Sequence, residues 1–178
     1  MPPADFLEDV ALPGANRAEE LVFRAYKDTG HNIRDCRHQK TCFDFQVWWW
    51  DDWLTLDVKY DRYIESTGRV LFEKFHEPAN FLHKNLRSGW GFERHPKLLA
   101  IVGLSLQKAL VYQLDEIRTF VTIHTASGKM PQGWVYSKPF NLRGGYWTHG
   151  YAIPISELSA CAIEPVELLL DSGLRKAS

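Results

Sequence analysis

The strongest constraint on this chain is a pair of alternating runs joined by a tight acidic turn. Phe43-Asp44-Phe45-Gln46-Val47-Trp48 is followed, past Trp50-Asp51, by Trp53-Leu54-Thr55-Leu56-Asp57-Val58-Lys59-Tyr60. A period of two marks strands with one face in and one face out. Leu54, Leu56 and Val58 point one way; Thr55, Asp57 and Lys59 point the other. With Trp50 and Asp51 as the central turn residues, Trp49 faces Asp52, Trp48 faces Trp53, Gln46 faces Thr55, and Asp44 faces Asp57. Directly opposed residues share a face, with Cβ atoms roughly 4.5–5.5 Å apart. Lys59, two residues beyond Asp57, shares that face. The hairpin thus predicts two carboxylates and one ammonium converging on one spot.

Like charges opposed across a strand pair are destabilising. A cation between Asp44 and Asp57 would relieve them, and hard carboxylate oxygens suit Mg²⁺ or Mn²⁺. Such a metal lowers the pKa of a bound water and neutralises charge building on a phosphate. Lys59 would position the attacking water or stabilise the developing negative charge. The competing account is a solvated salt-bridge cluster on a sheet face, worth little energy.

Elsewhere the pattern predicts a mixed α/β chain. A first helix spans about Asn16 to Asp28, with Asn16 as N-cap and Glu19 three residues later as a loose capping box. Ala18, Leu21, Val22 and Ala25 share one face, and Gly30 is a C-terminal stop. Short strands are predicted at Asn32–Cys36, Val70–Phe75, Leu98–Val102 and Ala109–Gln113. Residues 62–69 read as a polar loop, and a short helix is predicted around Ala79 to Asn85. Asp115 caps a second long helix running to about Ile123, and residues 126–148 read as Gly-rich loop. Tyr151–Ile155 is a short strand at an edge because of Pro154, followed by a turn or short helix at Ser156-Glu157-Leu158. Val166–Leu170 is a last apolar run before a frayed tail. Helix, strands, helix, strand is an α/β sandwich with a mixed sheet centred on the hairpin.

At 178 residues and 45% hydrophobic, the chain suits a single domain with a real core. A net charge of −1 does not advertise a nucleic-acid binder, so phosphate contacts would need a local basic patch. Arg62, Arg69, Lys74, Lys84, Arg87, Arg94 and Lys97 offer one, with Glu65, Glu73, Glu77 and Glu93 interleaved. Three cysteines are too few for a disulfide framework and fit a reducing cytosol, so a cytoplasmic location is expected. Met1 to Ala11 does not read as a signal peptide, and no apolar run approaches membrane-spanning length.

Asp44 followed thirteen residues later by Asp57-Val58-Lys59 resembles the signature of PD-(D/E)XK nucleases. The preceding helix is similar to that of Holliday-junction resolvases and related phage and repair nucleases. Asp57-Val58-Lys59-Tyr60-Asp61, Thr67-Gly68 and Leu71-Phe72-Glu73 look like small phage-type members. The resemblance covers roughly residues 15–125, with an echo at Ile153 to Leu158; Phe43 stands where the family name has proline, and Asp57 replaces the commoner glutamate.

The resemblance implies a restriction-endonuclease-like α-β-β-β-α-β core, a mixed sheet flanked by helices, over about residues 15–158, with an extension at 159–178. It implies Asp44 and Asp57 as metal ligands, Lys59 as the catalytic lysine, the backbone carbonyl of Val58 as a further ligand and Glu19 as the helical acid. Glu20 points away from the apolar face, which favours Glu19. The implied activity is hydrolysis of phosphodiester bonds, in DNA rather than RNA, with Mg²⁺ or Mn²⁺. A homodimer is compatible with cutting two strands. The alternative is an inactive nuclease-fold module that binds nucleic acid or a protein partner.

Other motifs carry less. Cys36, His38 and Cys42 lack a fourth zinc ligand at common spacing. Gly144-Gly145 is not followed by the Gly-Lys-Ser/Thr of a phosphate loop. Alternation sends some of Trp48, Trp49, Trp50 and Trp53 inward and others outward. The outward rings serve packing, a dimer contact, or stacking on unpaired bases, against repulsion from Asp51 and Asp52.

Overall fold

The computed structural model describes residues 12–39, 43–49, 51–61, 63–78, 87–92, 96–103, 105–137, 140–141, 146–161, 163 and 165–170. The helix predicted around residues 79–85 and the glycines at 144–145 lie outside them. The chain forms two compact units, one of residues 1–65, 95–113 and 165–178, the other of residues 66–94 and 114–164. Among the described residues, no helix is long and apolar enough to cross a membrane.

The first unit opens with α1 (Leu12–Asp28). This helix begins a turn earlier than Asn16, so Asn16 is interior and the predicted Asn16/Glu19 capping box does not form. Pro13 explains the early start, because a first-turn residue needs no backbone N–H partner. The C-terminus stops as predicted. Gly30 takes φ +80, its N–H donates to the Lys27 carbonyl, and the His31 N–H donates to the Tyr26 carbonyl. This is a Schellman closure.

Next come β1 (Ile33–Asp35), β2 (Phe45–Trp49) and β3 (Asp52–Tyr60). The β2–β3 pairing runs Phe45↔Leu56, Gln46↔Thr55, Val47↔Leu54, Trp48↔Trp53 and Trp49↔Asp52, the register expected from the sequence. Asp51 takes φ +65, a conformation that Asp tolerates better than most residues. β6 (Leu98–Val102), β7 (Lys108–Gln113) and β11 (Val166–Leu169) complete a six-stranded sheet in the order β1-β2-β3-β6-β7-β11. The β3–β6 pair is parallel and the other pairs are antiparallel, so the sheet is mixed. α1 packs Ala18, Val22, Ala25 and Tyr26 on the sheet face that carries Phe45, Val47, Leu56, Val58, Ala100 and Val111. Three of these helical residues are those that the 3.6-residue period singled out.

The second unit holds β4 (Arg69–Pro78), β5 (Arg87–Ser88), β8 (Val135–Ser137), β9 (Phe140–Asn141) and β10 (Tyr146–Pro154). Their order is β5-β4-β10-β8, with β9 also on β10, and every pair is antiparallel. Two expectations are corrected here. Residues 126–148 are not loop throughout, and the strand ending at Pro154 is interior and nine residues long, not a short edge. Pro154 is tolerated because it is the last residue of the strand, next to α4 (Ile155–Ala160), where a missing N–H breaks little of the ladder. α2 (Ile64–Thr67), within the segment read as loop, bridges the units along the chain. α3 (Leu114–Thr125) starts one residue before Asp115, which sits in its first turn and binds Arg118 at 2.6 Å. His149 is buried, stacks on Phe75, and bonds Glu77 at 2.7 Å and the Tyr136 hydroxyl.

Candidate active site

The regular β2–β3 ladder ends at Phe45, and Asp44 takes over where it stops. The Asp44 N–H still donates to the Leu56 carbonyl at 3.0 Å, and its carbonyl accepts the Cys36 N–H at 2.9 Å. In place of a backbone carbonyl, the Asp44 carboxylate accepts the Val58 N–H at 2.8 Å. That bond pins the carboxylate beside the Asp57-Val58 peptide. Val58 contributes its N–H there, while its side chain belongs to the core under α1.

Asp57 is buried, 7% exposed, on a strand flanked on both sides. Its carboxylate holds the Lys59 ammonium at 2.7 Å, and the Lys59 side chain stays 40% exposed. A charged group thus reaches from solvent to a buried acid through one lysine. Burial, and then the Asp57 charge, push the Asp44 carboxyl up to about 7; the Val58 N–H opposes the shift, and a hydrogen bond with Asp57 adds to it. Two facing carboxylates in a poorly solvated spot do not both ionise readily, and one lysine does not offset them.

Glu19 lies on α1 with its side chain 23% exposed. Burial raises its carboxyl first; Arg37, 3.9 Å away, opposes this, and the charges of Asp57 and Lys59 also act on it. Glu20 is tied elsewhere, to Arg24 at 2.8 Å and Arg37 at 3.4 Å, and the Arg24 hydrogen bond lowers its carboxyl. Of the two helical acids, Glu19 is the one in the field of the hairpin charges.

Arg37 is the residue that sequence reasoning missed. Its guanidinium grips Asp35 through Nε at 3.0 Å and Nη2 at 2.5 Å, reaches Glu19 and Glu20, and lies 5.0 Å from the centre of the Phe45 ring. Asp35 is held down to about 2 by the Arg37 hydrogen bond. No periodicity marks such a residue, because it joins Asp35, two residues back, to Glu19 and Glu20 on a helix 18 and 17 residues earlier. Of the zinc-like group, Cys36 is buried with its thiol 3.8 Å from the Arg34 carbonyl, and Cys42 lies outside the described residues. Among the described residues, no three His, Cys, Asp or Glu side chains form a ready-made metal cage.

No family model matches the chain. No curated protein matches it. Among solved structures, it is similar to a bacterial homing endonuclease, I-Ssp6803I, at 14% identity and a TM-score of 0.48, over 62% of this chain and 73% of that one. A likeness of that size identifies neither a family nor an activity.

Proposed function

We propose that this chain is a divalent-metal-dependent nuclease of the PD-(D/E)XK kind, hydrolysing phosphodiester bonds of DNA. One observation carries the reading. Asp44, Asp57 and Lys59 meet at the end of the hairpin, with the Asp44 carboxyl driven toward its protonated form by burial and by Asp57. A structural salt bridge would need only Asp57 and Lys59. The second acid is the feature left over, and it makes the pair an all-oxygen donor set short of positive charge.

That donor set fits Mg²⁺ or Mn²⁺, which binds through one or two carboxylates and completes its shell with water and phosphate oxygens. Asp44 and Asp57 would hold it, with the Val58 carbonyl and Glu19 as the further oxygens nearest in sequence and field. Bound there, the metal supplies a water of lowered pKa and offsets charge on the phosphate. Lys59 places an ammonium beside Asp57, where it stabilises negative charge building on a phosphate oxygen. Asp44 would act as a ligand in its ionised form, and the Val58 N–H fixes the orientation of its carboxylate for that role.

The test is a panel of single-stranded, duplex and branched DNA and RNA, incubated with Mn²⁺, with EDTA, and with Lys59→Ala protein. Manganese-dependent cutting that Lys59→Ala abolishes supports the nuclease. A folded protein that cuts nothing on the panel returns the chain to the binding-module reading.

A further inference from the structure

The face that carries Asp44 and Asp57 does not end at the carboxylates. Along β2 and β3 the same parity brings Gln46 opposite Thr55 and then Trp48 opposite Trp53. Trp48 is 38% exposed, and its ring meets that of Trp53 edge-on at 5.6 Å. On the neighbouring strand Arg34, paired with Gln46, lays its guanidinium 3.7 Å from the centre of the Trp53 ring. Trp49, of opposite parity, packs against the core on the other face.

We propose that Trp48, Trp53 and Arg34 form a stacking platform for an unpaired nucleic-acid strand on its way to the Asp44–Asp57 site. This deepens the nuclease reading and rests on it, because it names the strandedness of that site's substrate. Three features select the occupant. The exposed Trp48 ring, and the Arg34 guanidinium plane that covers the Trp53 face, suit a base flanked by phosphate, where stacking and charge act together. A base offers its face only when it is unpaired, so single strands, loops and frayed ends fit and intact duplex does not. The platform is also continuous with the acids: Trp53 to Asp57 is four strand residues, about 13 Å at about 3.3 Å each, a reach of a few nucleotides. Of the two turn acids, Asp52 does not lie on this face. Asp52 pairs with Trp49 and so points to the opposite face, with its carboxylate on the Trp53 backbone N–H at 2.7 Å.

The test is fluorescence anisotropy in EDTA, where nothing is cut, with a fluorescein-labelled 12-nucleotide DNA strand and its blunt duplex. The single strand is expected to bind about tenfold tighter than the duplex. Trp48→Ala should weaken single-strand binding about tenfold and leave the duplex unchanged, and Trp48→Phe should restore most of it. Arg34→Gln, at an exposed position, keeps the test valid if Trp48→Ala melts early. It should weaken single-strand binding several-fold and make it less salt-sensitive. Unchanged single-strand binding by both folded variants overturns the proposal. So does a wild-type dimer, seen by sedimentation, that Trp48→Ala dissociates. Single strands held through Trp48 but never cut in Mn²⁺ would remove the nuclease reading and leave the platform. Cutting that is indifferent to Trp48 and Arg34 would do the reverse.

Discussion

The carboxylate of Asp44 accepts the backbone N–H of Val58 at 2.8 Å, one peptide away from the Asp57 carboxylate that it opposes electrostatically. A strand-end acid is thereby fixed against a second acid on a flanked strand. The arrangement is costly with both ionised, and several consequences can be measured.

Asp44 gives the metal-free protein a pH dependence with a defined sign. Its carboxyl titrates near 4 in an unfolded chain and near 7 in the fold, raised by burial and by Asp57. A raised carboxyl stabilises the fold below its unfolded value, and that contribution is lost as pH rises through the folded value. Between pH 4 and pH 7 in EDTA, the wild type should therefore lose on the order of 2 kcal/mol relative to Asp44→Asn, allowing for solvent screening of a part-exposed group. Urea unfolding of both proteins across that range measures the difference. A gap that does not change with pH contradicts this account of Asp44.

Lys59 should matter to chemistry more than to folding. Its side chain is 40% exposed but its partner Asp57 is buried, and a half-exposed charge-assisted pair of that kind is worth about 1–3 kcal/mol. Lys59→Ala is expected to shift unfolding by no more than that, while cleavage falls by about 10²–10⁴. A melting curve beside a cleavage time course reads both. Collapse of the fold with Lys59→Ala would mark the lysine as structural.

Arg37 carries the opposite expectation. It is the cation shared by Asp35, Glu19 and Glu20, so Arg37→Ala leaves three acids crowded together. Stability should fall by about 1 kcal/mol near pH 7. The loss should shrink as pH falls from 4 toward 2, because the lowered Asp35 carboxyl contributes stability above its unfolded value and gives it up on the way down. A loss constant across that range in urea titrations would show that Arg37 acts through packing on Phe45 instead.

The helix seat under the hairpin is tested by Val22, which is fully buried between α1 and the sheet. Val22→Ala removes two buried carbons and should cost about 2 kcal/mol in chemical unfolding. A loss below about 0.5 kcal/mol would mean that α1 is not docked on Phe45, Leu56 and Val58 as described.

What the sequence revealed follows from which signals are local. The hairpin register was legible because a period of two and a two-residue turn are both short-range, and they brought Asp57 and Lys59 together with Asp44. The apolar stripe of α1 and the strands β6 and β7 were legible for the same reason. The helix start was misplaced because Asn16 looked like a cap and Pro13 was not used as a start signal. The second sheet was largely hidden, since residues 126–148 are rich in turn formers and β10 draws its stability from β4, which is 74 residues earlier in the chain at the His149↔Phe75 pair. Arg37 was hidden too, because a residue defined by three acids from two elements leaves no pattern in the chain.

The most direct measurement is calorimetric titration of Mn²⁺ at pH 7 into the wild type, Asp44→Asn and Asp57→Asn, each in two buffers of different ionisation enthalpy. The account predicts Mn²⁺ binding by the wild type with release of about half a proton, as the cation displaces the one held at Asp44, and loss of that binding in both variants. A folded wild type that takes up no Mn²⁺, or variants that bind it as tightly as the wild type does, would contradict the claim that Asp44 and Asp57 form a metal site.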